Sequence, residues 1–267
     1  MAEKVLLKSP AEIAKMREAG RIVAQVLAKI GQMATPGVTT KELDIAVEEL
    51  IIQAGGIPLF KNYPAHSPAY PAFPASICAS INEQVVHGIP NERELRDGDI
   101  IAIDVGVELD GWCGDAARTY AVGAISKKAK KLLDVTESSL AKAIEQVKPG
   151  KLLRDVSAAV QKEVESNGFS VVKQFVGHGI GRKMHEAPQI PNYVCSPRER
   201  LDGSTPDLVL KPGMVLAIEP MVNMGGSDVL VDRRDGWTVY TKDRSLSAHF
   251  EHTVAVTENG PMILTEL

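Results

Sequence analysis

Five side chains in this sequence have the types found in metal sites: four carboxylates and one imidazole. Asp104 ends an apolar run at a position where an aliphatic residue is expected, and Asp115 follows on the returning strand. Glu219 ends a second apolar run, Glu251 lies inside a third, and His178 stands between two glycines. Burying carboxylates as bare anions is very costly, so such a group requires protons, basic partners or metal ions.

The charge of this set decides between one metal ion and two. A single divalent ion would leave two of the four negative charges uncompensated, whereas two ions balance them. An oxygen-rich set with one imidazole suits Mn, Fe(II), Co or Zn better than a structural zinc, which prefers cysteine. Taken singly, each residue is better explained as a turn, strand-end or packed loop residue; only the whole set favours a metal site.

A predicted hairpin positions the first two carboxylates. Asp110-Gly111 supplies the positive φ that a tight turn needs, and it separates apolar strands predicted over 100–107 and 117–122. The chain therefore returns after Asp104 and places Asp115 on the neighbouring strand, which would hold the two carboxylates close together.

An internal repeat relates this hairpin to the second half of the chain. The segment that ends at Asp104 (LRDGDIIAID) resembles the segment that ends at Glu219 (LKPGMVLAIE). The helical segments that follow Pro36 and Pro149 are separated by nearly the same distance along the chain. The repeat predicts two similar halves whose strands form one sheet, with a carboxylate from each half at a strand end.

Periodicity and breakers predict the remaining elements. Four helices are predicted: one from Pro10 to before Thr35, one capped by Thr39 and stopped at Gly55, one over 126–148 and one over about 153–166. Further strands are predicted over 77–86, 169–176, 214–218, 236–240 and 250–256. The stretch 57–76 is rich in proline and aromatic residues, and composition supports a surface connector and a pocket wall equally. A second loop is predicted over 188–208.

Composition limits the class of protein. The 267 residues carry 44% apolar and 24% charged side chains and a net charge of −4, which is typical of a soluble globular protein. No basic block indicates a nucleic-acid or membrane surface. Three cysteines without CxxC spacing argue against a disulfide framework and against a cysteine zinc site. No segment is apolar over a membrane-spanning length, so we expect a reducing cytoplasm.

Four motifs together resemble one family. SICASINEQVVHGIP at 76–90 resembles the signature of type I methionine aminopeptidases, as do GHGIG with HEAP at 177–188, IEPM at 218–221 and SLSAHFEHT at 245–253. The resemblance runs in one order from about Lys8 to Thr265. It implies the α+β pita-bread fold: two αβ halves related by a pseudo-twofold axis around a curved, mostly antiparallel sheet with helices on its outer face. We expect one catalytic domain over 1–267, its halves meeting in the region 123–150.

The resemblance also implies an activity and roles for individual residues. The activity is removal of the initiator methionine from nascent proteins and peptides when the second residue is small, through two-metal hydrolysis by a bridging hydroxide. The implied ligands of two divalent ions (Co, Mn, Fe(II), Zn or Ni) are Asp104, Asp115, His178, Glu219 and Glu251, with Asp115 and Glu251 bridging. The implied catalytic residues are His87 and His185, which are not ligands, and Glu219 as proton shuttle. The implied methionine pocket consists of Tyr70, Phe73, Cys78, Met184 and Trp237.

The implied partners are nascent polypeptides with N-terminal methionine, with transient ribosome contact, no nucleic acid and no membrane, for a monomer in the cytoplasm. Three features are specific to this chain: Met184 where bacterial relatives often carry an aromatic residue, a 188–208 connector that looks longer than in short members, and a short start that resembles forms without a zinc-binding extension.

Three other readings remain at this point. A binding module that has lost its metal is disfavoured because all five ligand types are present. Proline-directed relatives (aminopeptidase P and prolidase) share those ligand types but usually carry a large additional N-terminal domain, for which the sequence before Pro10 leaves no room. A metal hydrolase of another fold would keep the ligands but not the repeat. Comparing a Met-Ala-Ser peptide with a Xaa-Pro peptide separates the enzyme classes.

Overall fold

The computed structural model describes residues 4–195 and 208–267, so positions 196–207 of the predicted connector lie outside the described residues. The helices are α1 (Pro10–Met33), α2 (Thr40–Gln53), α3 (Lys127–Ile144) and α4 (Leu153–Ser166). The strands are β1 (Ile57–Pro58), β2 (Cys78–Ile81), β3 (Ile100–Leu109), β4 (Trp112–Ala121), β5 (Ser170–Val171), β6 (Gly177–Gly179), β7 (Glu186–Ile190), β8 (Val215–Ile218), β9 (Met221–Asn223), β10 (Val229–Val231), β11 (Val239–Thr241), β12 (Ser247–His249), β13 (His252–Thr257) and β14 (Gly260–Ile263). None of the helices in these two ranges is long and apolar enough to span a membrane.

The β3–β4 hairpin forms as predicted and is longer than expected. Its two turn residues, Asp110 and Gly111, have φ of 51° and 75°, the positive values that a two-residue turn with right-handed twist requires. Asp115 pairs with Gly106, two positions from Asp104 on β3. Because alternate residues of a strand share a face, both carboxylates lie on the same side of the hairpin.

The opposite face of the hairpin is covered by helices. Ile101, Ile103 and Val105 of β3 alternate with Asp104 and belong to a buried cluster that also contains apolar residues of α1 and α2. A second cluster joins α3 and α4 to the strands of the second half. The helices therefore lie on the outer face, and the carboxylate side of the strands is left for a site.

Strand pairing corrects the expectation of one continuous sheet. The pairs described are all antiparallel, but they form a four-stranded sheet (β1–β4), a five-stranded sheet (β14-β13-β8-β6-β7) and two smaller ones (β12-β9-β5 and β10-β11). Hydrogen bonds to β4 join the two large sheets. Glu251 N–H donates to Ala117 O at 2.8 Å, Asp115 N–H donates to Thr253 Oγ1 at 3.1 Å, and Thr253 Oγ1 donates to Asp115 O at 2.8 Å. Each of these bonds involves a predicted ligand, so the halves meet at the site. The division of the halves in the region 123–150 stays a prediction.

The predicted helix starts are accurate, since Ser9 with Glu12 and Thr39 with Glu42 both form capping boxes. Strand boundaries differ more. β2 ends at Ile81 because Asn82 (φ 55°) leaves the extended conformation. The strands predicted over 169–176 and 236–240 shorten to β5 and β11, and α3 ends at Ile144 rather than 148. Residues 188–190 of the predicted connector belong to β7. The strand predicted over 250–256 begins at His252 as β13, because residues 250–251 form the break that separates it from β12.

Candidate metal centre

The structure brings the five predicted metal-site residues into one cavity of about 340 Å³. Asp104, Asp115, His178, Glu219 and Glu251 all line it. Donor atoms of Asp115, His178 and Glu251 lie within 4.8 Å of one another. The Nε2 atom of His178 is 3.9 Å from Asp115 Oδ2 and 3.7 Å from Glu219 Oε1. The site therefore combines β3 and β4 of the first half with β6, the end of β8 and the β12–β13 break of the second.

His178 is oriented as a ligand would be. Its Nδ1 lies 2.9 Å from Gly179 O, which makes Nδ1 the protonated nitrogen and leaves the Nε2 lone pair facing the carboxylates. Burial lowers the pKa of His178 to about 3, so the ring is neutral at physiological pH.

The two glycines that flank His178 serve the neighbouring strands. A Cβ on Gly177 would lie 2.3 Å from Ala217 O, and a Cβ on Gly179 would lie 2.2 Å from Ala187 O. Small neighbours leave access to the imidazole. The structure adds a second reason, because only glycine lets the adjacent backbones approach β6 this closely.

Among the described residues, three of the four carboxylates each have one buried oxygen without a partner. Asp104 Oδ1, Asp115 Oδ1 and Glu251 Oε1 are buried and have no hydrogen-bond partner within residues 4–195 and 208–267. Burial raises the pKa of Asp104 to about 7 and that of Glu219 to about 8. Burial and the neighbouring carboxylates raise the pKa of Asp115 and Glu251 well above the ordinary range. Unpartnered buried oxygens around a neutral imidazole fit the requirements of a divalent cation.

Most of the predicted methionine-pocket residues line the same cavity. Phe73, Cys78, Met184 and Trp237 belong to one buried apolar cluster beside the carboxylates. The Trp237 ring packs edge-on against Phe73 with centroids 5.3 Å apart, and its Nε1–H donates to Pro71 O at 3.0 Å. The indole therefore presents an apolar surface to the cavity while its polar nitrogen is bonded.

Tyr70 lies elsewhere than predicted and is not among the residues that line this cavity. A Cβ on Gly236 would lie 2.2 Å from the Tyr70 ring, and the Tyr70 hydroxyl donates to Arg233 O at 3.3 Å. Tyr70 thus packs on the turn that carries Trp237 rather than on the substrate side.

Tyr63 takes the wall position instead, and its hydroxyl lies 2.7 Å from His185 Nδ1. Sequence reasoning missed it, together with the other lining residues Phe60, His66, Val86, Phe175, Val176 and Met221. Phe60, Tyr63, His66 and Phe73 all come from the stretch 57–76, so of its two interpretations the structure supports the pocket wall. The aromatic content of that stretch was the available signal.

The two further histidines, His87 and His185, line the cavity and are neutral. Burial lowers the pKa of His87 to about 4, and its ring packs edge-on against Phe175 at 5.6 Å and Trp237 at 6.2 Å. Burial also lowers the pKa of His185, whose ring centroid is 4.3 Å from that of His178. Each ring thus offers one N–H donor and one acceptor.

The profile of metallopeptidase family M24 matches residues 14–258. Methionine aminopeptidase 1 of Bacillus subtilis is 50% identical over 98% of this chain and 100% of its own length. The methionine aminopeptidase of Escherichia coli is 45% identical, and the match covers 98% of this chain and 94% of the Escherichia coli protein. The crystal structure of methionine aminopeptidase from Rickettsia prowazekii superimposes with a TM-score of 0.90 at 43% identity, covering 98% of this chain and 100% of that one.

A more distant structure shares the fold alone. Prolidase from Pyrococcus furiosus has a TM-score of 0.71 at 23% identity, and the match covers 98% of this chain but 65% of the prolidase. The pita-bread fold expected from the motifs is therefore confirmed by neighbours of both kinds, while high identity over full length is found with the methionine aminopeptidases. The chain belongs to metallopeptidase family M24 and, within it, to the methionine aminopeptidases.

Proposed function

We propose that this protein is a metal-dependent aminopeptidase that removes the initiator methionine from nascent proteins and peptides whose second residue is small. The observation that carries this proposal is the juxtaposition of an apolar, thioether-sized pocket with buried, unpartnered carboxylate oxygens. The 50% identity to methionine aminopeptidase 1 of Bacillus subtilis over 98% of this chain supports a substrate with an N-terminal methionine.

The proposed metal centre consists of two divalent ions, which Asp104, Asp115, His178, Glu219 and Glu251 would hold, with Asp115 and Glu251 shared between them. Two ions balance the four carboxylates, and the donor set suits Mn, Fe(II), Co, Zn or Ni. When bound, such ions lower the pKa of a water molecule and polarise the scissile carbonyl.

The chain's own residues orient the substrate. The methionine side chain would contact Phe73, Met184 and Trp237, which suit a polarisable thioether. The carboxylates that line the cavity would attract the free α-amine of the substrate. This attraction would restrict cleavage to the first peptide bond. A cavity closed beyond this residue would exclude a large second side chain.

Three groups would handle protons and hydrogen bonds. His185 donates to the scissile carbonyl oxygen, His87 bonds the scissile amide nitrogen, and Glu219 receives the proton of the attacking water. Bound metal would hold Glu219 in its deprotonated form, and a carboxylate at the metal can accept this proton. We place this reaction in the cytoplasm, on a monomer that contacts the ribosome transiently.

The test of this function is anaerobic reconstitution of the metal-free protein with each candidate ion, followed by hydrolysis of three peptides. We expect methionine release from Met-Ala-Ser, little from Met-Trp-Ser, and no cleavage of Ala-Pro-Ser. Cleavage of the proline peptide at the highest rate would assign the protein to the proline-directed class. Metal binding without cleavage of any peptide would favour a binding module.

His87→Ala is expected to lower turnover of Met-Ala-Ser by about a hundredfold or more, the usual contribution of a positioned proton-transfer or hydrogen-bonding group. Metal content should stay unchanged, because the proposed ligands are intact. Metal analysis by atomic emission checks the metal content, and the peptide assay checks the turnover. An emptied site would show that His87 is itself a ligand.

Tyr63→Phe is expected to lower kcat about 3- to 10-fold with little change in KM. The variant keeps the aromatic wall but removes the hydroxyl bonded to His185 Nδ1, and one hydrogen bond is worth about this factor. The matched control is Tyr70→Phe, which removes a hydroxyl of the same loop that bonds Arg233 O outside the cavity. Equal effects of the two substitutions would contradict a role of Tyr63 through His185.

A further inference from the structure

A sixth polar side chain, absent from the predicted set, lies against Glu219. His249 ends β12, pairs with Met221 of β9, and is 1% exposed. Its Nε2 atom lies 3.6 Å from Glu219 Oε2. That nitrogen is buried and has no hydrogen-bond partner in the part of the chain that the structure describes. A buried donor left in this state is costly, so the position requires an explanation.

The backbone of His249 is fixed by the other half of the molecule. Its N–H donates to Thr119 Oγ1 at 2.9 Å, and the same hydroxyl donates to His249 O at 2.8 Å. Thr119 lies on β4, four residues after Asp115, and is itself buried. The ring is therefore held towards Glu219 by a strand of the metal-site hairpin and has no route to solvent.

Glu219 lies between two imidazole rings, those of His178 and His249. Its Oε1 faces His178 Nε2 at 3.7 Å, a nitrogen that carries a lone pair because Nδ1 donates to Gly179 O. Its Oε2 faces His249 Nε2. A lone pair on both rings would repel both carboxylate oxygens, whereas a proton on His249 Nε2 attracts one of them. A movement of about half an ångström brings that pair into hydrogen-bond range.

We propose that His249 is a positioning residue: it donates its Nε2–H to Glu219 Oε2 and so presents Glu219 Oε1 to the metal beside His178. This inference rests on the proposed metal centre. Groups that hydrogen-bond a ligating carboxylate fix its orientation, and their loss weakens metal binding without removing a ligand.

Two substitutions distinguish the hydrogen-bond donor of His249 from the volume of its side chain. His249→Gln keeps an N–H donor at a similar reach, and His249→Leu fills the space without a donor. Affinity for Co(II) is measured by competition with a chelating indicator, and the visible absorption of bound Co(II) reports the ligand geometry. We expect His249→Leu to weaken Co(II) binding about 10- to 100-fold and alter the spectrum. We expect His249→Gln to stay within about threefold of wild type.

A double-substitution cycle shows whether the effect passes through Glu219. In the Glu219→Gln background, adding His249→Leu should cause no further loss of Co(II) affinity, because the carboxylate that His249 orients is absent. Wild-type affinity of the Leu variant would overturn the proposal, and so would a Gln variant as weak as the Leu variant, since the imidazole itself would then be the ligand. If the Leu variant does not fold, His249→Asn, whose amide cannot reach Glu219, replaces it.

These affinities are read without peptide. A wild-type protein that binds Co(II) but releases no methionine would contradict the proposed function and leave the role of His249 to be decided by the variants. A wild-type protein that binds no divalent ion would contradict the metal centre, and the proposal for His249 with it.

Discussion

Asp115→Asn is expected to lose bound metal and to slow methionine release from Met-Ala-Ser by at least about a thousandfold, because the loss of several kcal/mol of Lewis-acid stabilisation corresponds to this factor. Asp115 is 4% exposed and belongs to the tightest donor group of the cavity, with His178 and Glu251. The amide keeps the shape of the side chain but removes an anionic donor that two ions would share.

The same substitution should not destabilise the metal-free protein. The Asp115 Oδ1 atom is buried without a hydrogen-bond partner within residues 4–195 and 208–267, and the carboxyl lies among like charges. An amide is neutral without taking up a proton, whereas burial of the carboxyl requires one, so the metal-free variant should unfold at the wild-type temperature or above it. A gain in stability beside a loss of function is the behaviour expected of a site that is strained for its ligand.

Three measurements check this prediction: metal content after dialysis, single-turnover hydrolysis, and thermal unfolding with excess chelator. The matched control is Asp134→Asn, which changes the same group on the surface of α3, where Asp134 pairs with Lys130 at 2.8 Å. The control should leave metal content and turnover unchanged. An Asp115→Asn protein with two bound metals and wild-type turnover would remove Asp115 from the metal site.

The metal-free protein is expected to lose stability as pH rises from 6.5 to 8, and divalent metal is expected to abolish this loss. Burial raises the pKa of Asp104 to about 7 and that of Glu219 to about 8, far above the ordinary values of about 3.9 and 4.3 in an unfolded chain. In this window the folded state holds more protons than the unfolded state. The free energy of unfolding therefore falls with rising pH, by about 1.4 kcal/mol per pH unit for each proton of difference.

The histidines oppose the effect of the carboxylates only in the lower part of this window. Burial lowers the pKa of His178 to about 3 and that of His87 to about 4, below the ordinary value of about 6.5. Below pH 6.5 the unfolded state therefore binds more protons at these rings, and their contribution to stability rises with pH. Above about pH 7.5 the rings are almost fully neutral in both states, and the carboxylates set the slope there.

Urea unfolding at pH 6.5, 7.25 and 8, with chelator and with Mn²⁺, measures the effect. With chelator the free energy of unfolding should fall across the series. With Mn²⁺ it should hold or rise, because the ion displaces the protons that the buried carboxylates otherwise retain. Glu219→Gln, which removes one raised pKa, should flatten the slope with chelator. If the free energy of unfolding changed with pH by the same amount with Mn²⁺ and with chelator, these carboxylates would not bind the metal.

The sequence by itself determined the local features of the site. The Asp-Gly turn, the helix caps at Ser9 and Thr39, and an acidic residue at the end of each repeated apolar strand are set by φ, capping chemistry and strand periodicity, which act over a few residues. These rules selected Asp104, Asp115 and Glu219, and the pairing of glycines around His178 marked the imidazole.

Only the tertiary structure decided which side chains face the cavity. Tyr63 and Tyr70 belong to one proline-rich loop, and the choice between them depends on how that loop packs on the turn at Gly236, far along the chain. His249 lies in the short strand β12, and its role depends on its contacts with Glu219 on one side and Thr119 on the other. Such contacts join elements from both halves, and the energies that fix them are those of packing, which no local periodicity records.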